Sequence, residues 1–352
     1  DADQQEAVSE NETSDTELFE EENAIVEKHF EKMIQSVDEE DIDTFLTFQN
    51  ESNSLFYREQ IRWFEEIVYK RSIGDEIGLE ITDIKLNDED HGTIDIKVSM
   101  PLNDMEFENT GTYTIMKQDN GWVMDELPFE ELQSGNISVL FTPNLKSTAE
   151  NMMKLAEKIV AFYEQQFNWV PEEVVIKLYD SREQLLASIP FPQAAGWAEI
   201  GGSLKLSMDM EWNEKVLLSL LLHEFGHFML ADFTNDNASL YLQEGFASYL
   251  QGIVQEDENG ELFLANEIDQ EVIENALSVE GFEFKSIEEL NNSDYNQGDD
   301  LYGLGLLLTN YLISTYGMDQ FFLLADDLKN EEYIDQRGEH KFDITAERTT
   351  YH

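Results

Sequence analysis

Between Leu217 and Leu230 the sequence reads LLSLLLHEFGHFML. The run is apolar enough for a helix buried on most of its faces, yet His223, Glu224 and His227 fall within it. A buried helix excludes ionisable groups unless something offsets their desolvation. Any fold that contains this segment must therefore bring a compensating group against it. Histidines four residues apart put both imidazoles on one face of a helix, one turn from each other and within reach of a single ion. The expected compensation is a metal ion, with Glu224 beside it, too far round the helix to ligate but placed to meet a water there.

A catalytic zinc takes a third protein ligand and keeps one position open to water. Glu244 is the candidate. Sixteen residues separate it from His227, among them the polar, turn-rich ADFTNDNAS, and it lies within SLYLQEGFASYLQG, which reads as a second helix. A helix, a loop and a second antiparallel helix would set Glu244 opposite the pair. Either histidine alone would be an ordinary core residue bonded to a carbonyl, and Glu244 alone an ordinary helical acid, so the expectation rests on the three together. The remaining histidines, His29, His91, His340 and His352, stand in polar or terminal surroundings and read as surface residues.

The rest of the chain divides by its periodicity. Residues 1–17, which include DADQQEAVSENETSD, have too little apolar content to offset the entropy of ordering, and read as a disordered acidic tail. Helical spacing follows, with Leu18, Ile25, Phe30, Ile34 and Phe45 supplying apolar faces and LFYREQIRWFEEIVYK forming a second segment. From Leu79 the period becomes two, through LEITDIKL, TIDIKVSM, GTYTIMK and GWVMDEL, with the turn signals NDEDHG and QDNG between neighbouring runs. An antiparallel meander of about four strands is expected there. A second domain opens near Ile137 with the strand SVLFT, then a helix from Ser147 to Phe167 whose Ser-Thr-Ala-Glu start reads as a capping box. VVIKLYDS is a further strand and GWAEIGGSLKLSM a strand or hairpin. The predicted class is α+β, with domains at 18–135 and 136–352.

Charge narrows the partners. The chain of 352 residues carries 21 Lys and Arg against 76 Asp and Glu, a formal net charge of -55. Such a surface repels phosphate backbones and anionic headgroups, so nucleic acid is excluded as a partner, and the acid reads as a solvated surface suited to high salt or an extracellular setting. No apolar run reaches the roughly 20 residues of a membrane span. Cysteine is absent, which excludes disulfides, thiolate metal sites and cysteine nucleophiles. Because the sequence begins at Asp1, an upstream segment and a secretion signal with it are expected to have been removed, and an extracellular or envelope-attached location in a bacterium is expected.

The motif residues resemble a known group. His223-Glu224-Phe225-Gly226-His227, followed by Tyr241-Leu242-Gln243-Glu244-Gly245-Phe246-Ala247, is similar to the gluzincin metallopeptidases and their peptidase MA-like members, over about 137–328. The resemblance implies one zinc per chain on His223, His227 and Glu244, Glu224 as general base, and a peptide or protein substrate. It also implies a tyrosine that supports the oxyanion; within LYGLGLLLTNYLISTYG the matching residue is Tyr302. In that group an edge strand before the zinc helix pairs with the substrate, a place taken here by GWAEIGGSLKLSM, where Glu199 is similar to the glutamate that holds a free amino terminus. Residues 18–132, helices followed by a meander, resemble the nuclear transport factor 2-like (NTF2-like) domains in element order. Two other functions fit the same residues: a zincin scaffold that works by binding, as a catalytically weak pseudopeptidase, and a zinc hydrolase acting on a non-peptide bond.

Overall fold

The computed structural model describes residues 22–102, 105–119, 121–189, 196–199, 201–209, 212–278, 283–291 and 301–329. The tail at 1–17, Leu18, His340 and His352 lie outside them. The chain is a mixed α+β protein with several sheets. It divides into two compact units, one within 1–130 and 179–195, the other within 131–178 and 196–352. A single division at 135/136 is thus replaced by a first unit that takes back a later segment.

In the first unit, helix α1 (residues 22–38) is followed by α2 (Ile42–Leu46) and α3 (Ser54–Ser72). Asp41 and Asn53 cap the last two, their side chains accepting from the backbone N–H of Thr44 and Phe56. The buried stripe of α1 is Val26, Phe30, Met33 and Val37; of the expected apolar positions Phe30 and Phe45 are buried, whereas Ile34 is only partly buried and Ile25 is 68% exposed. His29 is not a free surface residue: its Nε2 lies 2.8 Å from the Trp122 carbonyl oxygen, and its ring meets Phe48 edge-on at 4.8 Å. His91, by contrast, is exposed beside Asp88.

The alternating runs form an antiparallel meander of β1 (Gly78–Leu86), β2 (His91–Leu102), β3 (Met105–Gln118) and β4 (Gly121–Met124) in sequential order. Ile94, Ile96, Val98, Tyr113 and Ile115 are among its buried positions. Arg71 ties the end of α3 to its neighbours, donating to the carbonyls of Ile77 and Val37 at 2.7 and 3.1 Å. The short α5 (Arg182–Ser188) belongs here because it packs on β2 and β3, and Trp63 Nε1 donates to the Ala187 carbonyl at 3.0 Å.

The second unit is built on a five-stranded sheet of order β5-β6-β7-β9-β8: β5 (Glu130–Ser134), β6 (Ile137–Phe141), β7 (Val174–Tyr179), β9 (Leu204–Ser207) and β8 (Gly196–Ala198). Strands β6 and β7 are parallel, joined through α4 (Lys146–Phe167), which packs on β6. The expected capping box does not form. The helix starts one residue earlier, at Lys146, so Leu145 takes the cap position without a side-chain bond and Ser147 lies inside the first turn. The helical part comprises α6 (Glu214–Thr234), α7 (Leu240–Ile253), α8 (Gln270–Leu277), α9 (Ile287–Asn291), α10 (Leu301–Tyr316) and α11 (Met318–Leu328), with a small β10–β11 hairpin (Val254–Glu256, Leu262–Leu264) after α7. Among the described residues, α6 alone is long and apolar enough to cross a bilayer. It is mostly buried in the core, packed against α4, α7 and α11.

Candidate metal centre

Helix α6 is apolar almost all round, and that sets its place: Leu217, Leu218, Leu221, Leu222, Phe225, Met229 and Leu230 are all buried. Asn213 caps its start by accepting from the Val216 N–H at 3.0 Å, and its chain leaves through Asn235 and Asp236, both with positive φ. Tyr163 of α4 anchors the centre of α6 from behind, its phenol donating to the Leu222 carbonyl at 2.8 Å. Helix α7 returns antiparallel along the front. Gln251 Nε2 donates to Ser219 Oγ at 3.0 Å, Gly226 faces Ala247, and Glu244 reaches the histidines. Gly226, the fourth residue of the motif, allows this approach, because a Cβ there would stand 3.0 Å from the Ala247 Cα.

The three expected ligands are buried and converge. His223 Nε2 and His227 Nε2 are 3.1 Å apart, and Glu244 Oε2 lies 3.3 Å from the first and 3.6 Å from the second. Ligand atoms about 2.0–2.1 Å from a tetrahedral centre stand about 3.3–3.4 Å from one another, so the three edges bracket the spacing a metal ion requires. The donors suit a borderline cation: two imidazole nitrogens and a carboxylate oxygen turned to one point. A buried His, His and Glu group able to bind a metal ion is what these helices form.

Electrostatics at the group follow from burial and neighbours. Burial raises the Glu224 carboxyl above its ordinary value, with the His223 and His227 charges acting against the rise. Burial would also raise Glu244, but His227 and His223 outweigh it and hold that carboxyl well below the usual range. Tyr302, at the start of α10, is half exposed and stacks on His223 with ring centroids 6.0 Å apart. Its phenol is pushed well above its ordinary value by burial and then by Glu244 and Glu224, which places it in the field of both carboxylates.

The structure therefore brings His223, His227, Glu244 and Tyr302 together, with Glu224 beside them. Glu199 is not one of the three converging residues. It follows β8 directly, buried, and accepts from Lys205 Nζ at 3.0 Å. Sequence reasoning passed over Gly226, Gly245, Gly305 and Tyr163. The signal for the glycines was their presence inside apolar helices, where each is unfavourable by about 1 kcal/mol relative to alanine unless packing requires it. Compared with known proteins, the chain matches no family model and no curated relative.

Proposed function

We propose that this protein is a zinc-dependent peptide hydrolase of gluzincin type, with the second unit as its peptidase domain and the first as an NTF2-like module. The observation that carries the reading is the triangle of His223 Nε2, His227 Nε2 and Glu244 Oε2, with edges of 3.1, 3.3 and 3.6 Å on two buried antiparallel helices. These three residues would hold the ion, which supplies Lewis-acid polarisation of the scissile carbonyl when bound. Glu224, one residue from a ligand but on a different face, takes the proton from the attacking water and delivers it to the leaving amine. A carboxyl raised by burial is suited to returning that proton. The Tyr302 phenol stays protonated and donates a hydrogen bond to the oxyanion as it develops. Strand β8 ends the sheet in the described residues, and an extended peptide pairs with such an edge through main-chain bonds. With the Glu199 carboxylate engaged by Lys205, cleavage within chains is favoured over removal of single amino-terminal residues.

The test compares wild type with Glu224→Gln and Tyr302→Phe on a mixed peptide library read by mass spectrometry, with bound zinc measured in each. Glu224→Gln should keep its zinc and lose about 10²–10⁴-fold in rate, and Tyr302→Phe up to about 10²–10³-fold. Equal cleavage by wild type and Glu224→Gln would end the assigned mechanism. Zinc bound without any cleavage in wild type would point to a binding scaffold or a non-peptide substrate.

A further inference from the structure

The placement of Tyr302 raises a question of its own, since it sits on a helix that supplies no ligand. Helix α10 reaches the centre by crossing α7 at two glycines. A Cβ built on Gly245 would fall 2.3 Å from the Gly305 carbonyl oxygen and 2.7 Å from Thr309 Oγ1. One built on Gly305 would fall 2.2 Å from the Tyr241 carbonyl oxygen and 2.9 Å from Gly245 Cα. All but Thr309 Oγ1 are backbone atoms, so no rotamer relieves the overlap, and the helices touch main chain to main chain. The crossing sits against the site on both sides: Gly245 follows Glu244, and Gly305 lies one turn beyond Tyr302. Thr309, the next turn of α10, is fully buried against the same contact. Side chains one turn apart on a rigid helix move together. Parting the helices enough to admit a methyl group, about 1 Å, would carry the Tyr302 ring away from His223 by a comparable amount.

We propose that the Gly245–Gly305 contact is the positioning device for Tyr302, with Gly305 and Gly245 as positioning residues that fix the phenol over the His223–Glu244 pair. The placement is a matter of helix geometry; only its catalytic consequence rests on the peptidase reading. A misplacement of about 1 Å is enough to cost roughly 10²-fold in rate, so the contact is as important to an oxyanion donor as the hydroxyl itself.

The experiment labels the whole protein with 3-fluorotyrosine and follows it by ¹⁹F NMR, the Tyr302 signal being the one lost in Tyr302→Phe. In the metal-free protein the stacked His223 ring displaces that signal, and in Gly305→Ala it should move towards the position of free fluorotyrosine while the other tyrosines stay put. Thr309→Leu, which wedges the same crossing with a side chain able to bend, should give a smaller change in the same direction and covers the case in which Gly305→Ala does not fold. On cobalt loading, the metal-induced shift of the Tyr302 signal should be largest in wild type and reduced in both variants. On a cleaved peptide, Gly305→Ala should lower kcat by about 10²-fold with KM little changed, and adding Tyr302→Phe to it should cost no more. An unmoved Tyr302 signal in folded Gly305→Ala or Thr309→Leu would overturn the proposal, as would full additivity of the two substitutions. Failure of wild type to bind cobalt or cleave peptide would instead count against the zinc peptidase reading, leaving the metal-free spectra to decide the positioning.

Discussion

Replacing Gly226 with alanine probes how closely the two ligand helices must approach. The added Cβ would stand 3.0 Å from Ala247 Cα and 3.2 Å from Leu250 Cδ1. Leu250 has rotamers to move through; the backbone of α7 does not. Ordinary carbon contacts begin near 3.5 Å, so α6 and α7 must part by about half an ångström at this level. Added to the 3.3 and 3.6 Å edges between Glu244 and the histidines, that opens them to about 4 Å, beyond the roughly 3.3–3.4 Å of a tetrahedral site. The metal-free fold should lose little, because overpacking of about 1–3 kcal/mol is offset by about 1 kcal/mol of helix propensity. Metal binding should suffer more, by an amount similar to the 10–100-fold typical of disturbed ligand support. At zinc equal to a hundred times the wild-type Kd, binding stabilises by about 2.7 kcal/mol, and a hundredfold weaker site leaves about 0.4 kcal/mol. At about 2–4 °C per kcal/mol for a unit of this size, the zinc-induced rise in Tm should shrink from about 5–11 °C to about 1–2 °C. Melting with chelator and with buffered zinc measures it. A Gly226→Ala protein with the wild-type zinc response would refute the argument that close helix approach sets the ligand triangle.

Three further outcomes are expected. A net charge of -55 means self-repulsion that mobile ions screen, so Tm should rise from low to molar potassium chloride, and a fall would argue against a surface limited by its own charge. Gln243 is fully buried, with neither amide atom hydrogen-bonded among the described residues. Gln243→Met should therefore stabilise by about 1–3 kcal/mol with zinc affinity intact, whereas a tenfold weaker site would show that the amide supports a ligand. In the β10–β11 hairpin the Asp257 carboxylate accepts from the Glu261 and Asn259 N–H groups at 2.9 and 2.8 Å, which hold its carboxyl below the ordinary 3.8. A lowered value means stability present above 3.8 and lost as pH falls through the lowered value, and an NMR titration of the carboxyl carbon with a midpoint at or above 3.8 would contradict it.

The buried group of His223, His227 and Glu244 could be read from sequence because its signal is chemical and local. Two histidines at helical spacing inside an apolar run admit few arrangements, and the apolar stripe of the next helix fixes which side of it Glu244 presents. The meander was equally legible, since period-two alternation from Leu79 to Met124 survives in strands with one buried face. Long-range packing was not. Nothing local in Arg182–Ser188 says that it joins the first unit, because the decision is made by Trp63, 124 residues away, whose indole finds the Ala187 carbonyl. The capping pattern at Ser147 failed for a related reason: the 3₁₀ turn at Pro143–Leu145 runs straight into the helix and leaves the serine no free N-terminus to cap.

The glycines show how packing can override local preference in a functional helix. Gly226, Gly245 and Gly305 each lie inside a helix and each weakens it by about 1 kcal/mol relative to alanine. None has a positive φ, so conformational freedom does not explain them. What they share is a backbone neighbour where a Cβ would go: Ala247 Cα for the first, the Gly305 carbonyl for the second, the Tyr241 carbonyl for the third. The three contacts lie along α7, at Tyr241, Gly245 and Ala247, on either side of Glu244. Helix α7 thus meets α6 at Gly226 and α10 at Gly245 and Gly305 with backbone close to backbone at those points. Side-chain layers can repack, so a ligand or phenol held across one would inherit its slack. Main-chain contact removes that slack where, on the proposed reading, a reacting group must be placed to within about half an ångström, and the lost helix propensity is the cost of that definition.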